Sequence, residues 1–291
     1  MANTLCIFTP TYNRAYVLDT LYKSLCAQTC RDFYWLIVDD GSTDETESLI
    51  EAFVGEKRFE IKYIKQANGG KQRAWNVGVM ACTAELFMCV DSDDYLVDRA
   101  VEAIVAQWKA VSSNETLVGV VTPQASRNGA FPSGQITKLT QLYATYGYEG
   151  ETCIATKTVA LREHQFVVFE GEKFIPELFV FDQLDQIYDH YALNKEICKG
   201  EYLADGYSAR YGRLLIENPV SYSLYKLQCS TYACKVTLKF RETFLYLVWQ
   251  KIAKMSVIEA ARAAPHKFIA YLCCPFAVAA APLVKEMVKH S

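Results

Sequence analysis

The chain has 291 residues, 51% hydrophobic and 22% charged, which suits one large folded domain with an appendage. A formal net charge of −3 gives no reason to expect a nucleic-acid partner. The charge is uneven: from Lys235 onward nine Lys and Arg face three Asp and Glu, a balance of +6, and the rest carries −9, so a basic tail with its own partner is expected.

"TLCIFTP" reads as a short apolar strand closed by Pro10. Arg14 to Gln28 places Val17, Leu18, Leu21 and Leu25 at helical spacing. "YWLIVDD" reads as a buried strand, after which Ser42 or Thr43 is expected to cap a helix with Glu45 and Glu47 in its first turn. "FEIKYIK" alternates like a strand, Lys71 to Ala81 reads as a helix, and "ELFMCVDS" as another strand. Val97 to Val111 is then helical, and "TLVGVVTP" is a fifth strand. Strands alternating with helices predict an α/β layer fold with a mostly parallel sheet, whose ligands bind beyond the carboxyl ends of the strands. The polar motifs stand at three such ends: Thr9 to Arg14, Asp39 to Asp44, and Asp91 to Asp94.

Pro123 to Gly150, rich in Gly, Ser, Thr and Tyr, reads as a loop-rich insertion. "TCIATKTVAL" is a further strand, "KFIPELFVFDQLDQIYDHY" a turn becoming a helix, and "EYLADGYSARYG" a strand and loop. Residues 1–234 are expected to form one domain and 235–291 a basic, amphipathic helical tail. Phe240 to Ala264 has one apolar helical face, and Phe268 to Val284 is an uncharged run of 17 residues containing Pro275 and Pro282 between Lys267 and Lys285. Its length lies at the short edge for a bilayer span, and two prolines weigh against one. Interfacial membrane attachment ranks first, packing on protein second, a true span third.

The 11 cysteines show no metal-ligand spacing and read as free thiols in a reducing compartment. "MANTLCIFTPTYNR" lacks a basic start, so no signal peptide and a cytoplasmic location are expected. The four histidines have no zinc spacing, and G-x-S-x-G does not occur.

Asp91, Asp93 and Asp94 in "VDSDD" allow three readings. Acids favour a helix N-terminus, which suits Asp94 and Asp98. A calcium loop fails, because Leu96 stands where that loop needs Gly. A D-x-D pair holding a divalent ion that grips phosphates fits the residue types, since hard cations take carboxylate, phosphate and water oxygens. In "VDDGSTDET" a strand ends on two carboxylates and a Gly turn; a carboxylate there can accept a uracil imide N–H or a ribose hydroxyl. "NGGKQRAWNVG" joins two glycines to Lys71, Arg73 and Asn76 without P-loop spacing, and suits either a diphosphate contact or an ordinary helix start.

"TPTYNR", "VDDGSTD", "GGKQRAWNVG" and "VDSDD", in this order and spacing, resemble the family 2 glycosyltransferases of the GT-A fold. The resemblance covers Leu5 to about Val111. It continues more weakly in "GEKFIPE", "ADGYS" and "ENPVSY", which are similar to bacterial cell-surface polysaccharide members, and fades beyond Cys234. It implies a Rossmann-like nucleotide-diphospho-sugar transferase fold, with a mixed, mostly parallel sheet flanked by helices and here a C-terminal helical extension. It implies inverting hexosyl transfer from a nucleotide sugar, usually UDP-linked, with Mn²⁺ or Mg²⁺, to a glycan or lipid-linked glycan hydroxyl. Thr9 and Tyr12 would line the base and Asp39 would bind uracil. Lys71, Arg73 and Asn76 would sit near the diphosphate or sugar, with Asp91 and Ser92 also in the donor pocket. Asp93 would be the main metal ligand, with Asp91 the second candidate. Inversion needs a general base. Many relatives use an acid of an E-D pair; this chain has Glu177-Leu178, so Glu177 is the candidate and Asp182 its alternate. Two other readings stand beside this one. A nucleotidyltransferase would want a Gly-rich basic loop where this chain has Pro10 and Tyr12. A sugar-nucleotide-binding or scaffold protein would lack turnover. If the acceptor is lipid-linked, the tail would hold the enzyme at the anionic inner face of the membrane; homo-oligomerisation is left open.

Overall fold

A computed structural model describes residues 3–200, 206 and 210–289. Of "ADGYS" only Gly206 lies within them, and the strand expected around 201–208 is outside the described residues. The chain divides into two compact units, Met1–Phe166 with Val180–Glu201, and Val167–Phe179 with Tyr202–Ser291. The boundary expected after residue 234 therefore falls inside the second unit.

In the first unit β1 (Leu5–Thr11), α1 (Ala15–Cys26), β2 (Phe33–Asp39), α2 (Thr46–Glu56), β3 (Ile61–Lys65), α3 (Lys71–Ala81) and β4 (Leu86–Cys89) alternate. They are followed by β5 (Asp94–Leu96), α4 (Ala100–Val111), β6 (Leu117–Asn128), β7 (Gln135–Thr137), α5 (Leu139–Ala144), β8 (Glu149–Lys157) and α6 (Thr158–Glu163). After α7 (Leu178–Ile187), whose first turn carries the division between the units, come β9 (Asp189–Ala192) and β10 (Cys198–Gly200). The main sheet has eight strands in the order β3-β2-β1-β4-β8-β6-β9-β7; β5 and β10 form a separate ribbon. The β1–β2, β2–β3, β1–β4 and β6–β9 pairs are parallel; β4–β8, β6–β8 and β7–β9 are antiparallel.

All seven residues of β2, "FYWLIVD", are buried, as expected of a parallel strand covered on both faces. The alternation in β1 sorts the two faces. Leu5 and Ile7 join a core with Leu18 and Leu21 of α1 and Ile104 and Trp108 of α4. Phe8 points the other way, stacking on Phe87 at 4.8 Å and meeting Trp75 of α3 edge-on. The edge strand β3 carries Lys62 and Lys65, charges that discourage further pairing. The insertion expected to be loop is partly sheet: β6 continues past Pro123 and pairs with β8 as far as Asn128. Ladder pairing supplied by β8 overrides a composition that favours turns.

In the second unit lie α8 (Tyr211–Glu217), α9 (Pro219–Tyr232), α10 (Val236–Ile252), α11 (Val257–Ala263) and α12 (Lys267–Lys289). Glu172 accepts from the amides of Val220 (2.8 Å) and Ser221 (2.7 Å), which have no partner inside α9. Asn218 Oδ1 accepts from the amides of Lys173 (2.6 Å) and Phe174 (3.1 Å). "GEKFIPE" and "ENPVSY" are thus two halves of one structural clasp. The single helix expected over Phe240 to Ala264 is two. Lys254 breaks it with a left-handed φ of 60°, and Ser256 caps α11 by accepting from the Glu259 amide at 3.3 Å. Pro275 and Pro282 lie inside α12. Both are exposed, while Ala270, Cys273, Ala277 and Ala281 fasten the other face. All eleven cysteines are free.

Candidate active site

The ends of β1, β2 and β3 are stitched together by backbone and side-chain bonds. The Asp40 amide donates to Thr11 O at 2.8 Å, and the Gln66 amide to Asp39 O at 2.9 Å. Asn13 takes a left-handed φ of 52°. Its amide donates to Ser42 Oγ at 2.8 Å and its side chain accepts from the Thr43 amide at 2.8 Å, locking the β1 loop to the β2 loop. Gly41 has φ +85°, and a methyl there would come 2.9 Å from the Asn68 amide nitrogen, so only glycine fits. Ser42 and Thr43 do not cap α2. Asp44, one residue before the N-cap position, accepts from the Thr46 amide at 3.1 Å and from the Ala15 amide at 3.2 Å. Burial alone would raise the Asp44 pKa, but the hydrogen bonds from Thr46 and Ala15 outweigh it and hold the carboxyl below its ordinary range.

The two acids of "VDDG" are structural anchors. Asp39 is fully buried and accepts from the Ser42 amide and the Tyr63 hydroxyl, each at 2.7 Å. Asp40 accepts from Gly69 N (2.8 Å), Gly70 N (2.7 Å), Gln66 Nε2 (2.6 Å) and Asn68 Nδ2 (3.1 Å). It therefore holds the glycine turn that opens α3. Gly70 sits at φ 95° directly before Lys71, the first residue of the helix.

Beyond β4 the charges converge. Lys71 Nζ lies 2.8 Å from both carboxylate oxygens of Asp91. Asp93 is half-buried; burial first, then the negative charge of Asp91, push its carboxyl above the usual range. Asp94 is pushed to about 7 by burial and by Asp91. Its Oδ2 accepts from Gln124 Nε2 at 2.9 Å. Lys71 thus offsets Asp91, while Asp93 carries crowded negative charge. Among the described residues no group of three or more His, Cys, Asp and Glu is gathered to hold a metal. Such a donor set fits Mg²⁺ or Mn²⁺ bound through one or two carboxylates, with phosphate and water oxygens completing the shell. It does not fit a closed protein cage.

The expected site residues divide. Tyr12 (47% exposed), Asp91, Ser92 and Asp93 lie on the loops at these strand ends, and Lys71 and Arg73 in the first turn of α3, all in the first unit. Arg73 braces the glycine turn, donating from Nη1 to Gly69 O at 3.3 Å. Thr9 does not line the pocket: it is fully buried, donating to Val90 O at 2.8 Å and accepting from Trp35 Nε1 at 2.9 Å. Asn76, expected near the diphosphate or sugar, is engaged with the backbone of Phe166. Its amide donates to Phe166 O at 2.8 Å and accepts from Phe166 N at 3.0 Å, pinning the last residue of the first unit's long segment. Asp182 lies on α7 in the first unit, and Glu177 on the turn before α7 in the second. Asp94, expected to begin a helix, lies instead in β5, opposite Gly200 of β10. A methyl on Gly200 would come 1.8 Å from Asp94 Oδ1. Gln124 and Gly200 carried no local signal, because their partner is remote in sequence and β10 is only 3 residues long.

The geometry agrees with the comparisons. Residues 6–163 match the family model described as glycosyl transferase family 2. An uncharacterized glycosyltransferase of Nostoc sp. is 36% identical over 110 residues, 38% of this chain and 33% of that protein. The poly(ribitol-phosphate) beta-N-acetylglucosaminyltransferase TarS of Staphylococcus aureus is 30% identical over 92 residues, 31% of this chain and 16% of its own length. The matches thus span about a third or less of these curated relatives. The structure of S. aureus TarS 1–349 in complex with UDP-GlcNAc superposes with a TM-score of 0.56 at 15% identity, covering 98% of this chain and 91% of that one. The mannosyltransferase PcManGT of Pyrobaculum calidifontis, in complex with GDP-Man and Mn²⁺, gives 0.55 at 17% identity, covering 99% and 84%. The fold is GT-A, with a mixed sheet flanked by helices and a C-terminal helical extension. Since the family match spans more than half of the chain and contains every strand-end loop of the site, the chain belongs to glycosyl transferase family 2.

Proposed function

We propose that the protein is an inverting glycosyltransferase that moves a sugar from a nucleotide sugar, UDP-linked, to a hydroxyl of a growing cell-surface glycan. The observation that carries this reading is the Lys71–Asp91 pair beside the crowded Asp93, at the mouth of three interlocked strand ends. UDP-GlcNAc and UDP in the TarS structures favour a UDP donor. Mn²⁺ beside GDP-Man in PcManGT favours a divalent cation. Asp93, with Asp91 beside it, would hold Mn²⁺ or Mg²⁺. When bound, the ion supplies Lewis-acid stabilisation of the diphosphate leaving group.

The chain's own groups supply the remainder. Tyr12, exposed at the end of β1, offers a face to the base, while Asp39, expected to bind uracil, is fully buried and holds Ser42 and Tyr63 instead. Lys71 neutralises negative charge at the diphosphate, and Arg73 keeps the glycine turn in place. A carboxylate, Glu177 or its alternate Asp182, takes the proton of the acceptor hydroxyl as it attacks the anomeric carbon. A cytoplasmic location at the inner face of the membrane, and a lipid-linked or polymeric glycan acceptor, belong to the same reading.

The test is donor turnover with purified protein, UDP-sugars and Mn²⁺. UDP release is expected. Asp93→Ala should abolish metal-dependent release by at least about a hundredfold while leaving the melting temperature unchanged. Undiminished release by that variant, or by wild type in EDTA, overturns the metal assignment. Saturable donor binding with no release in any condition favours a binding protein without turnover.

A further inference from the structure

α12 is built inside out for a helix facing water. Its buried side is small, with Ala270, Cys273, Ala277 and Ala281 packed among Tyr246, Leu247, Val257 and Ala260. Its large side chains point outward: Phe268 is 82% exposed, Phe276 65% and Leu283 69%, with Tyr271 and Leu272 also exposed between them. Pro275, Ala279 and Pro282 complete this side, so no charge interrupts it from Phe268 to Leu283, roughly 22 Å of helix. The apolar surface continues into a groove of about 370 Å³ lined by Phe240, Arg241, Phe244, Leu272, Cys273 and Phe276. An apolar stretch of this extent marks an interaction surface.

We propose that this outward face of α12 is a seat on an anionic lipid surface. The charges around it decide among the occupants. Lys267, Lys285 and Lys289 stand exposed at the two ends of the helix, and Lys235 and Arg241 are exposed on or beside α10. Of the three acids from Lys235 onward, Glu242 is buried against Lys226 and Arg241, while Glu259 and Glu286 are exposed, so the exposed cations still outnumber the exposed acids. A second copy would bring an equally basic rim against this one, and like charges repel. A bilayer rich in phosphate headgroups complements the rim while its acyl region takes the aromatic side chains. Although the helix is long and apolar enough to cross a membrane, crossing would strip Ala270, Cys273, Ala277 and Ala281 from the protein core. The seat is therefore interfacial. It lies wholly in the second unit and deepens the membrane location in the proposed function, while flotation tests it apart from donor turnover.

Flotation of the full chain with phosphatidylcholine vesicles, with and without phosphatidylglycerol, tests this. Binding is expected only to the anionic vesicles, weakening with salt. Phe268→Ser/Leu272→Ser/Phe276→Ser should abolish flotation without lowering the melting temperature, because all three side chains are exposed. Lys285→Gln and Lys289→Gln should each weaken binding roughly fivefold. These surface charges serve as the readout if the triple serine variant fails to fold. Equal binding to neutral vesicles, or none to either, overturns the proposal. So does a wild-type dimer that the triple variant converts to monomer, since the face then belongs to a second copy.

Discussion

His190 of β9 is fully buried, and neither ring nitrogen has a hydrogen-bond partner among the described residues. Asp185 stands 3.9 Å away, too far to bond, and accepts instead from the amides of Leu139 and Thr140 at the start of α5. Burial, with Lys138 adding to it, pushes the imidazole pKa down to about 3. An unfolded histidine titrates near 6.5, so between these values the unfolded state binds the extra proton and stability falls as pH falls, by at most about 1.4 kcal/mol per pH unit. His190→Phe should remove that part of the slope between pH 6 and 4, measured by urea unfolding against wild type. Asp40 tests an anchor rather than a titration. Asp40→Ala leaves the amides of Gly69 and Gly70 without their acceptor and should lower stability by about 3 kcal/mol, read from the urea midpoint. The glycine turn before Lys71 should loosen with it. At this scale the sequence announced which residues gather but not what each touches. "VDDGSTD" marks a strand-end loop at once, yet the division of labour between Asp39, Asp40 and Asp44 depends on Tyr63, Gly69 and Ala15, which no local pattern connects. The contacts of Thr9 and Asn76 are hidden for the same reason: their partners, Trp35 and Phe166, are distant in sequence.

Among the elements, α3 shows local preference and packing pulling in opposite directions. Gly78 lies inside the helix, where alanine would gain about 1 kcal/mol of intrinsic propensity. But an added methyl would come 2.4 Å from the Phe8 ring, itself wedged against Phe87 and Trp75. Overpacking of this kind costs about 1–3 kcal/mol, so Gly78→Ala should be destabilising on balance, seen as a lower thermal midpoint. The core elements are readable because their periodicity and their burial coincide: β2 is apolar up to Asp39 and buried throughout, and α3 runs from Lys71 to Ala81 as its spacing predicts. Reading failed where pairing or a single backbone angle decides the outcome. The extension of β6 along β8, the three-residue strands β5 and β10, and the break at Lys254 are all of this kind.

For the whole molecule the open assignment is the base. The family match ends at residue 163, before both candidates, so the portion of the chain that the sequence makes most legible does not contain this residue. Glu177 belongs to the short segment Val167–Phe179 of the second unit, anchored by Glu172 on α9 and by Asn218 on Lys173 and Phe174. Asp182 belongs to the first unit, on α7, with Phe181 packed edge-on to Trp75 of α3. A general base contributes about 10²–10⁴-fold to turnover and little to donor binding. Glu177→Gln should therefore lower kcat by at least about a hundredfold while the donor Kd, measured by titration calorimetry, stays within about twofold. Asp182→Asn should retain most of its turnover. The reverse pattern moves the base to Asp182 on α7. If both variants turn over normally, neither carboxylate is the base. To show that any loss is local, Glu172→Gln serves as the control: it weakens the clasp that carries Glu177, so it should lower the melting temperature as well as kcat, whereas Glu177→Gln should change kcat alone.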